Sequence, residues 1–243
     1  MSQFSNKTVI VTGAGTGIGR AIVNDFVQTG ARVALMGRRI EKLKEAAVGL
    51  PQAQVLFLSC DVADREAVNR AVQEVITRFG PVDIVVNNAG ANTNPRSVAE
   101  VNPDDWDRTI AINLTGAFNV IRAVLPGMRQ RKDGLIINIS SIAGLRASKV
   151  AGAAYSASKH GMVALTHSLN EEEKDYNIRA CVICPGEVNT PIIDLRPEPV
   201  SQERRAEMLQ PEDVSAAALF VAGLPARVCI PEIIIKPTHQ IYR

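Results

Sequence analysis

Seven short apolar runs punctuate the chain: TVIVT (8–12), RVALM (32–36), QVLFLSC (54–60), DIVVNN (83–88), LIINIS (135–140), RACVIC (179–184) and CIPEIIIK (229–236). They are rich in Val and Ile and nearly continuous rather than alternating. A strand that is apolar on both sides must be covered on both faces, which is the situation of a parallel sheet. Helical patterns fill the intervals, at 19–29, 39–48, 64–79, 103–129, 155–174 and 211–222. Several carry start signals: Asn102 precedes Pro103, and Asp61 and Asp64 stand before an alanine-rich turn. Strands alternating with helices require right-handed crossovers. The expected fold is therefore α/β, a doubly wound, seven-stranded parallel sheet with helices on both faces. A length of 243 residues, 46% of them hydrophobic, suits a single domain over 1–243.

Charge and composition narrow the function classes. The formal net charge is +2 and no basic run stands out, so neither nucleic acid nor an anionic membrane is expected as a partner. No uninterrupted apolar run approaches the roughly 20 residues of a membrane helix. The segment MSQFSNK enters an apolar run at once, so a secretory signal is not expected. Cys181 and Cys184 form a C-x-x-C inside IRACVICPG, a spacing open to zinc or redox chemistry. With no second Cys/His pair to accompany it, core packing is the expected role and no metal site is assigned. The four cysteines fit a reducing cytoplasm.

The first apolar run feeds TGAGTGIGR, residues 12–20. Glycines 13, 17 and 19 give G-x-x-x-G-x-G with Gly15 between them, which differs from the commonest dinucleotide fingerprint. The physics is shared. Glycines let the backbone approach a pyrophosphate, and a helix starting near Gly17 directs free N–H groups at the anion. A NAD-preferring site carries an acid at the end of the second strand, for the ribose 2′-hydroxyl. Here Gly37 holds that place and Arg38 and Arg39 follow. Two guanidiniums suit a 2′-phosphate, so NADP(H) is expected rather than NAD; the same arginines also read as solvated residues opening a surface helix. Asp61 either meets the adenine amino group or serves as a helix N-cap.

The motifs TGAGTGIG, NNAG (87–90), Asn113, SSIAG (140–144), YSASK (155–159) and PGEVNTP (185–191) occur in this order. Together they resemble the short-chain dehydrogenase/reductase family over nearly the whole chain. The resemblance implies a Rossmann-type domain, a nicotinamide cofactor, carbonyl–alcohol interconversion on a small molecule, and a homo-oligomer, either a dimer or a tetramer. It implies Tyr155 as acid/base, Lys159 as its partner, Ser141 rather than Ser140 as the residue holding the substrate oxygen, and Asn113 as anchor of a water-linked proton path. It further implies that Gly13, Thr16, Gly17, Ile18 and Gly19 hold the pyrophosphate, and that Asp61 and Val62 border the adenine. Asn88, Ala89 and Gly90 would lie beside the ribose, and Pro185, Gly186, Val188 and Thr190 beside the nicotinamide carboxamide.

The chemistry asks for such residues. Hydride transfer to a carbonyl leaves an alkoxide that must gain a proton, and a tyrosine of ordinary acidity is a poor base near neutrality. An ammonium about 4 Å away, at an effective dielectric of about 20, favours phenolate by roughly 4 kcal/mol, with desolvation opposing. Tyr155 and Lys159 stand at i and i+4, hence on one helix face. Ala154, Ser156, Ala157 and Ser158 are small enough for cofactor and substrate to approach. In isolation the pair reads as an amphipathic surface pair; Ser141 and Asn113 turn the reading to function.

The last run continues into Lys236-Pro237-Thr238 where many family members carry an aspartate and paired glycines. This departure resembles the branch acting on small 3-hydroxy acids and related alcohols. The stretch Ile192 to Leu209, within about 190–210, should form a short polar lid, with Arg196, Arg204 and Arg205 read as solvated or as facing an acid group. Reduction of a 3-oxoacyl thioester is the alternative enzymatic reading, and a cofactor-binding sensor or scaffold the non-enzymatic one.

Overall fold

The computed structural model describes residues 3–196 and 198–240, apart from the side chain of Leu195. Among them run β1 (Thr8–Thr12), α1 (Gly17–Gln28), β2 (Arg32–Gly37), α2 (Ile40–Ala46), β3 (Val55–Ser59), α3 (Arg65–Phe79) and β4 (Ile84–Asn87). The second half adds α4 (Pro103–Ile110), α5 (Gly116–Arg131), β5 (Gly134–Ile139), α6 (Ala153–Glu173), β6 (Ile178–Pro185), α7 (Gln202–Ala206), α8 (Pro211–Gly223) and β7 (Glu232–Ile235). The strands form one sheet in the order β3-β2-β1-β4-β5-β6-β7, every pair parallel. This is the doubly wound α/β fold that the continuous apolar runs demanded.

Alternate residues of each strand feed two cores. Val9, Val11, Val33 and Leu35 meet Ile22 and Phe26 of α1 and Val214 and Ala218 of α8 on one face. Ile10, Ala34, Met36 and Val85 meet Val72 of α3 and Val120 and Val124 of α5 on the other. Each such burial contributes roughly 1.5–3 kcal/mol. Helix starts follow side-chain chemistry: Asp64 accepts from the N–H groups of Glu66 and Ala67, and Asn102 from that of Asp104. The cap of α3 is thus Asp64, and Asp61 instead accepts from Ala63 N at 3.0 Å in the preceding turn.

The stretch expected as one helix over 103–129 is interrupted. α4 and α5 are joined by a wide π-type turn, Ala111–Thr115, which carries Asn113, a residue with 0% exposure. The run Pro103–Arg131 is long and apolar enough to cross a membrane by length and composition, a property the run-by-run reading did not register. Val120, Ile121, Val124 and Met128 bury its apolar side in the core.

Sheet order reverses between β1 and β4, because β1 pairs with β2 on one side and β4 on the other. Such a switch point opens a crevice at the carboxyl ends of the strands. The glycine-rich turn after β1, NNAG after β4, SSIAG after β5 and PGEVNTP after β6 all reach that edge. A buried polar chain sets α6 against it: Asn87 donates to Asn138 at 2.9 Å, and Asn138 to the Thr166 hydroxyl at 2.9 Å.

Candidate active site

The turn between β1 and α1 is built for a close ligand. Gly13 and Gly17 have φ of +62° and +52°, a region a side chain would strain. A Cβ on Gly13 would stand 2.8 Å from Ala89 Cα, and one on Gly19 2.6 Å from Asn88 Nδ2. NNAG is clamped to this turn: the N–H groups of Asn88 and Ala89 both donate to Thr12 Oγ1 at 3.0 Å, and Asn88 Nδ2 donates to the carbonyls of Thr12 and Gly13. At the head of α1, Thr16 makes no side-chain cap and the first turn holds no acid. Its N–H groups and positive dipole end thus suit an anion. Beyond the turn, the start of α2 packs on Gly15, where a Cβ would meet Lys42 Cβ at 3.0 Å. Arg38 and Arg39 stand exposed at that corner. Asp61 and the buried Val62 follow β3 on the same edge.

Tyr155 and Lys159 sit in the first turns of α6. Tyr155 is partly buried and hydrogen-bonded to Ser141. Burial raises its pKa above the ordinary value, while the Ser141 hydrogen bond and the positive charge of Arg96 work in the opposite direction. Lys159 is 3% exposed, and burial lowers its pKa to about 8. Its Nζ donates to Ile139 O at 2.8 Å, the last carbonyl of β5, and lies 5.6 Å from the centre of the Tyr155 ring. A buried ammonium needs an acceptor, and the strand end supplies it. Desolvation therefore outweighs cationic tuning at Tyr155, and Arg96 is a cation acting on it that sequence spacing did not reveal.

The two serines separate cleanly. Ser140 Oγ donates to Lys159 O at 3.0 Å and is buried; Ser141 accepts from Ala143 N at 3.1 Å and engages Tyr155. Asn113 Oδ1 accepts from Ala91 N at 2.7 Å, and its Nδ2 donates to Ala91 O at 2.9 Å and to Ser158 Oγ at 3.0 Å. It ties the segment after NNAG to α6. A Cβ on Gly90 would lie 3.7 Å from Asn113 Oδ1 and 3.8 Å from Lys159 Nζ, so these three residues converge.

A cavity of about 390 Å³ joins the two halves. Ile18, Pro185, Gly186, Val188 and Thr190 line one part, and Ser141, Tyr155 and Arg96 another. Thr190 reaches over the glycine-rich turn: its Cγ2 lies 3.0 Å from where a Gly17 Cβ would stand. The stretch expected to form a lid includes Pro197, which lies outside the described residues. A 3-10 turn, Pro191–Leu195, follows Thr190, and α7 follows later. The lid arginines are not simply solvated. Glu187 binds Arg196 at 3.0 Å and Arg204 at 2.6 Å, and Arg205 pairs with Asp194. Sequence reasoning missed Arg96, Glu187 and Gln240 at this cavity. Nothing near Arg96 in NTNPRSV marked it, since only the folded chain brings residues 96 and 155 together.

The C-x-x-C thiols lie within β6, both buried. Burial pushes Cys181 up to about 12 and Cys184 up to about 11, which makes them poor nucleophiles.

Comparison with known proteins agrees with this geometry. Residues 7–199 match the family model described as short chain dehydrogenase. An uncharacterized oxidoreductase of Staphylococcus aureus (strain MW2) is 33% identical over 237 residues, covering 98% of this chain and 100% of the relative. The structure of serine dehydrogenase in its closed form, complexed with NADP+, superposes with a TM-score of 0.88 at 33% identity, covering 97% of this chain and 96% of that one. An alcohol dehydrogenase from the archaeon Thermococcus sibiricus, complexed with 5-hydroxy-NADP, gives a TM-score of 0.86 at 27% identity, covering 98% and 99%. The chain is an oxidoreductase that belongs to the short-chain dehydrogenase family.

Proposed function

We propose that the chain interconverts a carbonyl and a secondary alcohol on a small molecule, dependent on NADP(H), with Tyr155 as acid/base. The observation that carries this reading is the Tyr155 hydroxyl, bonded to Ser141 and facing a cavity whose other wall runs to the head of α1.

The residues fit a nicotinamide dinucleotide. Gly13, Thr16, Gly17, Ile18 and Gly19 would hold the pyrophosphate at the uncapped helix start, where a Cβ has no room. Arg38 and Arg39 would take a 2′-phosphate, with Asp61 and Val62 along the adenine. Asn88, Ala89 and Gly90, with Tyr155 and Lys159, would border the ribose. Pro185, Gly186, Val188 and Thr190 would meet the carboxamide. The NADP+ and 5-hydroxy-NADP in the two related structures support the phosphorylated form over NAD. When bound, the nicotinamide supplies or accepts the hydride.

This chain's own residues manage the proton. The Ser141 hydroxyl donates to the developing oxyanion. In reduction Tyr155, whose protonated form burial favours, delivers its proton to that oxygen, and in oxidation its phenolate form accepts the proton of the alcohol. Lys159, anchored on Ile139 O, would offer its remaining N–H donors to ribose hydroxyls. Asn113 holds the segment after NNAG in register with α6. Four free thiols support a reducing, cytoplasmic setting. Exposed Trp106, Phe118, Phe220 and Ile234 support a homo-oligomer, a dimer or tetramer.

A second reading, reduction of a 3-oxoacyl thioester, is favoured by one observation: Arg146, exposed at the cavity rim, suits an acidic carrier. Turnover of acetoacetyl thioesters against free small ketones separates the two. For the main reading, Tyr155→Phe should lower turnover by at least about 100-fold, with NADPH binding changing far less. Turnover equal to that of the unaltered protein would end the assignment.

A further inference from the structure

We infer that Gln240, on the segment that follows β7, is a positioning residue of the nicotinamide end: its side-chain amide holds the turn at Gly186 and Glu187, and so presets the Val188 N–H group that the carboxamide would meet. This role rests on the nicotinamide reading of residues 185–190 proposed above and gives it a residue that no sequence motif carried.

The segment after β7 folds back onto the loop that follows β6. Gly186 N, one residue past β6, donates to Ile235 O at 2.7 Å, the last carbonyl of β7. Buried Pro237 then turns the chain. Gln240 N donates to Pro237 O at 3.0 Å, and Lys236 Nζ donates to Gln240 O at 2.8 Å. These bonds deliver the Gln240 side chain to the loop, where its Oε1 accepts from Glu187 N at 3.1 Å. Gly186 makes room for that amide: a Cβ there would overlap Gln240 Oε1 and stand 3.0 Å from Lys236 Cβ and Pro237 Cδ. Gln240 thereby forms part of the cavity wall that Ser141 and Tyr155 share.

A backbone N–H in a loop must find an acceptor, and residues 186 to 189 differ in how they do so. Gly186 N–H goes to β7 and Glu187 N–H to Gln240. Asn189 N donates to Leu209 O at 2.8 Å, and Leu209 N donates back to Glu187 O at 3.0 Å. Val188 N–H, between these anchored peptides, has no partner among the described residues, although Val188 is only 7% exposed. A donor held in this way is a preformed site for one acceptor oxygen, and fixed geometry lowers the ordering cost of binding. Among the three acceptors only Gln240 is a side chain, so it alone can be removed with the backbone left intact. Without it the Glu187 N–H turns to solvent, and the peptide ahead of Val188 loses its setting. The Glu187 carboxylate, tied to Arg196 and Arg204, fixes that side chain but not this N–H.

Calorimetry on the full chain compares NADPH with 2′-phospho-ADP-ribose, the same dinucleotide without its nicotinamide. Gln240→Met, of equal length but with no acceptor, should bind NADPH about 3- to 10-fold more weakly and 2′-phospho-ADP-ribose within about twofold of the unaltered protein. Gln240→Glu, which keeps the acceptor, should bring NADPH affinity back to within about twofold. Gln240→Asn, one carbon too short to reach Glu187 N, should repeat the split and serves if Gln240→Met fails to fold. A residue that only braced the fold would weaken both ligands alike. That result overturns the role, as does NADPH affinity unchanged in folded Gln240→Met, or Gln240→Glu as weak as Gln240→Met. An unaltered protein that binds neither ligand ends the cofactor reading itself. One that binds both, while its variants lose nothing, leaves that reading standing and ends this role alone.

Discussion

Lys159→Met isolates a liability that the active site imposes on the fold. Lys159 is 3% exposed, and burial brings its ammonium from 10.5 to about 8. Each tenfold change in proton affinity is worth about 1.36 kcal/mol, so carrying that proton near neutrality costs the folded protein roughly 3 kcal/mol. The sign follows from where the proton sits. Below pH of about 8 folded and unfolded chains both carry it, and the whole cost bears on the fold. Between about 8 and 10.5 the folded chain has released it while the unfolded chain still binds it, so stability rises with pH through that window. Methionine removes the charge and also leaves Ile139 O, 2.8 Å from the ammonium, without its donor, a cost of about 1–3 kcal/mol that does not vary with pH here. The decisive quantity is therefore a difference. Relative to the unaltered protein, Lys159→Met should be about 2 kcal/mol better off at about pH 7 than at about pH 9.5. The buried thiols of Cys60, Cys181 and Cys184 are raised from 9.0 to about 11, 12 and 11, so they lower stability as pH rises through the same window, but both proteins carry them and they cancel in the difference. Urea unfolding of both proteins without nucleotide measures the difference. A change under about 0.5 kcal/mol, or of opposite sign, would refute the claim that desolvation governs this lysine.

Two further substitutions probe the cofactor half. Gly19→Ala forces a methyl against the Gly13 carbonyl and to within 2.6 Å of Asn88 Nδ2, neither of which is the loose end of a flexible chain. Stability should fall by about 1–3 kcal/mol and NADPH affinity by at least about tenfold; affinity left intact in calorimetry would remove the pyrophosphate from this turn. Arg38→Ala should weaken NADP+ by roughly 10- to 100-fold while NAD+ changes little, and equal weakening of both would refute the 2′-phosphate role.

Periodicity identified the sheet because each strand's neighbours in sequence already show that both faces are covered: TVIVT is buried at all five positions. Local chemistry likewise marked the caps Asp64 and Asn102. The short motifs located the catalytic edge, since glycines and small residues are required wherever backbone meets a ligand. What local pattern left out was the distant partners. The i,i+4 spacing brought Lys159 to the Tyr155 ring, and the Ile139 carbonyl, from β5, anchors its ammonium. In the stretch expected as a lid, sequence left Arg196 and Arg204 as solvated or as facing an acid group, whereas Glu187 pairs with both.

Sequence alone determined the parallel α/β framework, the glycine-rich turn and the family, because each rests on residues adjacent in the chain or one helical turn apart. Tertiary structure alone decided the electrostatics of Tyr155. Arg96 and Tyr155 are far apart along the chain, and the desolvation that raises the phenol and lowers the lysine exists only once β5, α6 and the lid have enclosed them.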